Sequence, residues 1–287
     1  MIKPGSKSIT RRRFLTAMAA GGGLGAASWS LARGTSLPVS TSAPAGAMTT
    51  LPPVTTAEAL QVGADATVAG PAVAEPARTI DALCRDAWGA QPIVGELVPH
   101  TPVRMTVHHT GTVLTSNADA PAHLRDHQAF HQLDRHWPDL AYHYIIDATG
   151  VIYEGRRATA VGDTGTSYDP TGHLLVACEG NFEQQEVAEA QLDALADLLA
   201  WASGAYAIDP ATITAHRDWA PTACPGTALY APVADGTLET AVRSRIEAGG
   251  IGLELRCGVG AEAVVAAIEA GSTDPVSPVS WDDRGVE

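Results

Sequence analysis

The chain predicts an α/β fold, a central mixed β-sheet flanked by helices, on three observations. Short β-branched and apolar runs alternate with longer segments of helical periodicity. A glycine-centred turn joins two of the short runs. With 287 residues, 45% of them hydrophobic, the chain has enough apolar material for a substantial core.

The elements follow in order. Residues 103–109, VRMTVHH, suit a buried strand that ends in two histidines followed by Thr110 and Gly111. Residues 120–136 repeat apolar side chains at Leu124, Phe130 and Leu133, which predicts an amphipathic helix. On it His123, His127 and His131 share one face and read as a polar surface. YHYIID and VIYEG flank Ala148-Thr149-Gly150 and read as a hairpin, and HLLVACEG gives a further strand. Residues 187–206 form a long helix, with Leu192, Leu195, Leu198 and Leu199 on one side and Asp193 and Asp197 on the other. ATITAH is a short strand that delivers His216 to its end.

Outside this region the composition changes. Residues 1–32 hold Lys3, Lys7 and Arg11–Arg13 with no acid, then a Gly/Ala-rich weakly apolar run and a small-residue site ending at Ala32. They read as a twin-arginine-type signal peptide, which predicts an exported protein, periplasmic, wall-associated or extracellular. Residues 33–78 are rich in Pro, Ala, Thr and Ser and read as a flexible linker. The domain is expected over 79–248, with 249–287 an extension of unknown role whose Ala/Val segment either packs on the domain or is a tail. Cys84 and Cys257 flank the domain and are expected to pair in an oxidising compartment, while Cys178, in an apolar run, reads as a buried free thiol.

Charge excludes two classes of partner. The net charge is −14, and after residues 1–32 the remaining 13 basic and 32 acidic side chains leave −19. With no basic stripe, neither nucleic acid nor, once the signal is removed, an anionic membrane is expected as a partner.

Two histidines and one thiolate make an open zinc set, with a fourth position for water. His108 or His109, His216 and Cys224 supply those donors, and side-chain alternation along a strand keeps His108 and His109 from reaching one ion together. Taken in order, Ala87-Trp88-Gly89-Ala90, VHHT, RHWPDLAYHYIID, YEGR, EGNF and HRDWAPTACPG make the chain resemble the zinc N-acetylmuramoyl-L-alanine amidases. That is the family of the phage lysozyme-type amidases and the peptidoglycan recognition proteins, and the resemblance covers about residues 80–235.

The resemblance implies one Zn²⁺ per chain at one edge of the sheet, held by His108, His216 and Cys224. It implies Tyr142 as the assisting tyrosine and Thr222 in the place where phage members carry a lysine and amidase-active recognition proteins a threonine. His109 and Thr110 become candidates for the substrate groove, and Glu179 and Arg156 for groove or structural positions. His136 departs from the pattern, because the family usually has glycine before the tryptophan. The implied activity is hydrolysis of the bond between N-acetylmuramic acid and L-alanine in peptidoglycan, by a monomer acting on peptidoglycan or muropeptides. The alternative is a recognition module that binds peptidoglycan without cutting it.

Overall fold

The computed structural model describes residues 75–272. The segment read as an export signal and nearly all of the linker lie outside the described residues, as do residues 273–287. The elements are β1 (Arg78–Leu83), β2 (Arg104–His109), α1 (Ala120–Leu133), β3 (Tyr144–Ile146), β4 (Ile152–Glu154) and β5 (His173–Cys178). There follow α2 (Glu189–Tyr206), β6 (Ile213–Ala215), α3 (Thr227–Ala234), α4 (Thr237–Glu247), β7 (Ile251–Arg256) and α5 (Gly258–Glu269). The strands form one sheet in the order β6-β2-β5-β3-β4-β1-β7. Every neighbouring pair is parallel except the β3–β4 hairpin, so the sheet is mixed.

Strand alternation sorts the side chains onto two faces. Met105, Val107, Leu174, Val176, Tyr144, Ile146 and Ile152 point into a core shared with Leu195, Leu198 and Leu199 of α2 and Val242 of α4. Those three leucines are fully buried, each worth about 1.5–3 kcal/mol relative to exposure. The other face holds Leu83, Ile145 and Tyr153 under Leu124 of α1 and Ala261, Val264, Val265 and Ile268 of α5, around the buried Trp88. His108 and Thr106 alternate with Met105 and Val107, so His108 belongs to the α1 face.

Three details depart from the pattern read in the sequence. Asp197 is buried on α2 and is clasped by Arg78 of β1 and Arg245 of α4, so the helix has no clean polar side there. His131 is buried too: its Nδ1 accepts from the Ala141 N–H at 3.2 Å. The segment after residue 248 adds strand β7, parallel to β1 along all six residues, and packs α5 on the core. Cys84 and Cys257 form a disulfide, with Cα atoms 5.1 Å apart, that ties the start of α5 to the turn before Trp88. Cys178 is a buried free thiol. Among the described residues no helix is long and apolar enough to cross a membrane.

Candidate metal centre and groove

The C-terminal ends of the neighbouring parallel strands β2 and β6 bring His108 and His216 together, with ring centroids 4.7 Å apart. Open α/β sheets place their sites at strand ends of this kind. His216 begins a 3-10 turn (His216–Asp218), and each residue of that turn has a task. Asp218 accepts from the Ala215 N–H at 2.7 Å, which folds the chain back at the strand end. Arg217 donates from its backbone to the Cys224 carbonyl at 3.1 Å and from its guanidinium to the Ala223 carbonyl, so the following loop returns to the histidines. Gly226, at φ 88, sits where a Cβ would collide with the Phe182 backbone, and this closeness lets the Cys-Pro-Gly segment lie flat against the chain that follows β5.

As a result, one donor atom from each of His108, His216 and Cys224 lies within 4.8 Å of the others, and all three residues are buried. His108 Nδ1 is 3.7 Å from Cys224 Sγ. Two ligands of a tetrahedral zinc, at about 2.0–2.1 Å for nitrogen and about 2.3 Å for sulfur, stand about 3.6 Å apart, so the spacing suits that ion. The Nε2 of His216 meets the hydroxyls of Thr166 and Thr164 at 2.8 and 3.3 Å, and the Nε2 of His108 meets the Tyr168 hydroxyl at 3.4 Å. For His108, a proton on Nε2 shared with the Tyr168 hydroxyl leaves Nδ1, the atom that faces Cys224 Sγ, unprotonated, as a metal ligand requires.

Burial dominates the electrostatics. It holds His216 down at about 4 and His108 well below the usual histidine range, the latter helped by His216, so both rings are neutral at pH 7. Burial pushes the Cys224 thiol up to about 12, although the His109 backbone N–H donates to its sulfur at 3.3 Å. Two neutral imidazoles and a shielded thiol form a donor set that could hold a dication, whose binding would displace the thiol proton.

A groove of about 370 Å³ opens over His108 and His216. Tyr142 lines it beside His108, with ring centroids 5.4 Å apart, and its hydroxyl donates to the His109 carbonyl at 3.4 Å. Burial raises the phenol's pKa above the usual tyrosine value, with a further push from Cys224, so Tyr142 stays a proton donor. Gly155 makes this placement possible, since a Cβ there would strike the Tyr142 carbonyl.

The other sequence-derived positions separate. Thr110 lines the groove. His109 turns to the opposite face: its ring packs on Phe182, and its Nδ1 accepts from the Phe182 N–H at 3.3 Å. Thr222 lies outside the groove lining, and its hydroxyl accepts from the Cys224 N–H at 3.2 Å. Arg156 is 2% exposed and donates to the carbonyls of Asp139, Leu140 and Val161 and to Asp163, so it is structural. Glu179 is buried with His123 at 2.8 Å and His127 at 3.4 Å, and His127 reaches the groove wall. His127 and His131 of the groove wall share a helix face that the sequence reads as polar surface, and Arg135 beside them, with Thr164, Thr166 and Tyr168 behind the histidines, carries no sequence signal that marks a site residue.

Comparison with known proteins agrees with this geometry. The family model described as N-acetylmuramoyl-L-alanine amidase matches residues 99–227. Peptidoglycan-recognition protein SD of Drosophila simulans is 34% identical over 154 residues, 52% of this chain and 82% of that protein. The N-acetylmuramoyl-L-alanine amidase of Mus musculus is 34% identical over 157 residues, 51% of this chain but only 28% of that protein. Among solved structures, peptidoglycan recognition protein-LE in complex with tracheal cytotoxin, a monomeric diaminopimelic acid-type peptidoglycan, is similar with a TM-score of 0.50 and 29% identity. That likeness covers 54% of this chain and 92% of the other.

Proposed function

The chain belongs to the family of N-acetylmuramoyl-L-alanine amidases and peptidoglycan recognition proteins, and from that premise we propose that it is an exported zinc amidase acting on peptidoglycan. The bond cleaved joins N-acetylmuramic acid to the L-alanine of the stem peptide, and the protein acts as a monomer. The observation that carries the reading is the buried donor set His108, His216 and Cys224, of which His108 and His216 line an open groove together with Tyr142. Three protein ligands suit a catalytic site, whereas structural zinc sites close with four.

When bound there, zinc supplies a water with a pKa near about 7 and polarises the scissile carbonyl. The remaining work belongs to the chain. Thr164, Thr166 and Tyr168 orient the two imidazoles. The His109 N–H and the Thr222 hydroxyl hold the Cys224 loop in place. The protonated Tyr142 phenol donates a hydrogen bond to the oxyanion that develops at the attacked carbonyl. Thr222 brings no charge, so the lysine contribution implied for phage members is missing here.

Metal content and muropeptide release, measured together on the purified protein, test the reading. The expected result is about one zinc per chain with release of stem peptides beginning at L-alanine, and loss of both in Cys224→Ala. Zinc without release, from protein that sediments with the wall polymer, would replace the amidase with a non-cutting recognition module.

A further inference from the structure

A second cluster of imidazole and carboxylate stands beside the groove and takes no part in the His108, His216 and Cys224 group. Glu179, just past the end of β5, is buried, with its side chain closed off from solvent. From α1, His123 and His127 meet it, four residues apart and so on one helix face. The two contacts differ. His123 Nδ1 is hydrogen-bonded to Glu179 Oε1 at 2.8 Å. His127 Nε2 stands 3.4 Å from Glu179 Oε2, yet no hydrogen bond joins them, and neither buried atom has another hydrogen-bond partner among the described residues. Leaving a carboxylate oxygen and an imidazole nitrogen buried in this way is costly.

Their spacing is that of two metal ligands. Around a tetrahedral zinc with nitrogen at about 2.0–2.1 Å and carboxylate oxygen at about 2.0–2.2 Å, neighbouring ligand atoms stand about 3.3–3.5 Å apart. Each lone pair then points at the ion, to one side of the line between the two atoms, whereas a hydrogen bond needs the N–H along that line. His123 supplies a third donor. Its side chain is 21% exposed, so the ring has room to turn away from Oε1 and bring a nitrogen to the ion. Two imidazoles and one glutamate are a zinc donor set, while calcium and magnesium call for oxygen ligands. His127 lines the groove, which gives an ion a route from solvent.

We propose that His123, His127 and Glu179 form a second site, for a transition-metal dication. Among the described residues only His108, His216 and Cys224 already hold their donors within 4.8 Å of one another. The second site has to give up the His123 hydrogen bond before it closes, so it fills after the first and only when metal is supplied in excess. It stands whether or not the chain cleaves peptidoglycan.

The test adds Co²⁺, a spectroscopic probe that takes zinc's donors, to the metal-free full chain and follows uptake by equilibrium dialysis and absorption. Wild type should take up two ions in succession, the first with the thiolate-to-cobalt band of Cys224 and the second with only the weaker bands of nitrogen and oxygen donors. Cys224→Ala should lose the first uptake and keep the second. His127→Phe, which retains a ring at that position, should keep the thiolate band, itself the sign of a folded variant, and bind the second ion about 100-fold more weakly or not at all. Glu179→Gln should behave in the same way. Uptake of a single ion by wild type, with the thiolate band, overturns the proposal, as does a second uptake unchanged in His127→Phe. If wild type shows no thiolate band but takes up an ion that His127→Phe loses, the second site is upheld and the zinc reading of the first fails.

Discussion

Replacing Arg156 with methionine should destabilise the protein more than any other single change near the groove. The guanidinium is 2% exposed and donates to Leu140 O at 2.9 Å, Val161 O at 2.6 Å and Asp139 O at 3.0 Å, besides its contact with Asp163. Methionine fills similar space but leaves three carbonyls without these donors. At about 1–3 kcal/mol for each buried acceptor left unpaired, and about 3–5 kcal/mol for a broken buried ion network, the loss is about 3–5 kcal/mol. That is a large share of the 5–15 kcal/mol, roughly, that holds a domain folded. With a urea slope of roughly 2–3 kcal/mol per molar for a domain of this size, the midpoint should fall by about 1–2 M. The backbone N–H of residue 156, which donates to the Tyr142 carbonyl at 2.8 Å, survives the change, but the side chain also holds the carbonyls of Asp139 and Leu140 just before Tyr142, and losing those bonds loosens the segment that carries the phenol. Muropeptide release should therefore fall even where the variant is still folded. Lysine at this position should recover only part of the loss, since it lacks the planar fork. A midpoint shift below about 0.4 M would show that other donors reach these carbonyls and that the clamp is not what holds the loop.

Acid should weaken the fold well above the carboxylate range. Burial holds His143 and His131 at about 3, and His143 is locked neutral, accepting from the Leu175 N–H and donating to the Ala160 carbonyl, both at 2.8 Å. Folded values below the unfolded value mean that the unfolded chain binds more protons from about pH 6.5 down towards 3. Stability is thus complete above about 6.5 and falls below it by about 1.4 kcal/mol per pH unit for each histidine. Equal urea midpoints at about pH 6.5 and about pH 5 would contradict this. Tyr142→Phe should retain zinc and lose about 10²-fold in turnover, the usual cost of one oxyanion donor. Unchanged turnover would remove the role given to that phenol. Cys84→Ala with Cys257→Ala opens a link spanning 173 residues and should cost about 2–5 kcal/mol in urea unfolding. A loss under about 1 kcal/mol would mean that α5 is held by its apolar contacts alone.

The candidate metal group is legible in the sequence because its parts are chemically rare and its two histidines follow strands that the hydrophobic pattern marks out, with Cys224 in the loop after the second. Alternation along β2 separates His108 from His109, and the packing gives the reason: His109 falls in line with Met105 and Val107 on the α2 face. The groove wall is illegible for the opposite reason. Helical periodicity scores histidine as polar and places it outside, but His123 and His127 turn inward because Glu179 comes from the end of β5 to meet them. His131 does so because the Ala141 N–H needs an acceptor. In the same way, Asp197 looks solvated until Arg78 and Arg245 arrive from distant parts of the chain. Strand β7 carries no comparable mark, since its partner β1 lies some 170 residues earlier and no local signal encodes a pairing at that range.

His136 shows how far local rules yield to such contacts. It stands where the family resemblance implies glycine, yet its φ is 59, in the left-handed region that costs a side-chain-bearing residue about 1–2 kcal/mol. Its neighbours impose that backbone: the Arg135 N–H donates to Phe130 O at 3.1 Å and the Trp137 N–H to His131 O at 3.0 Å. The two bonds reverse the chain at the end of α1 and turn both Arg135 and Trp137 into the groove. The turn is therefore kept despite the residue, and what it preserves is the placement of a cation and an indole beside the metal group. A sequence rule that reads glycine as the cause of such a turn would miss it here, because the cause is the pair of flanking anchors.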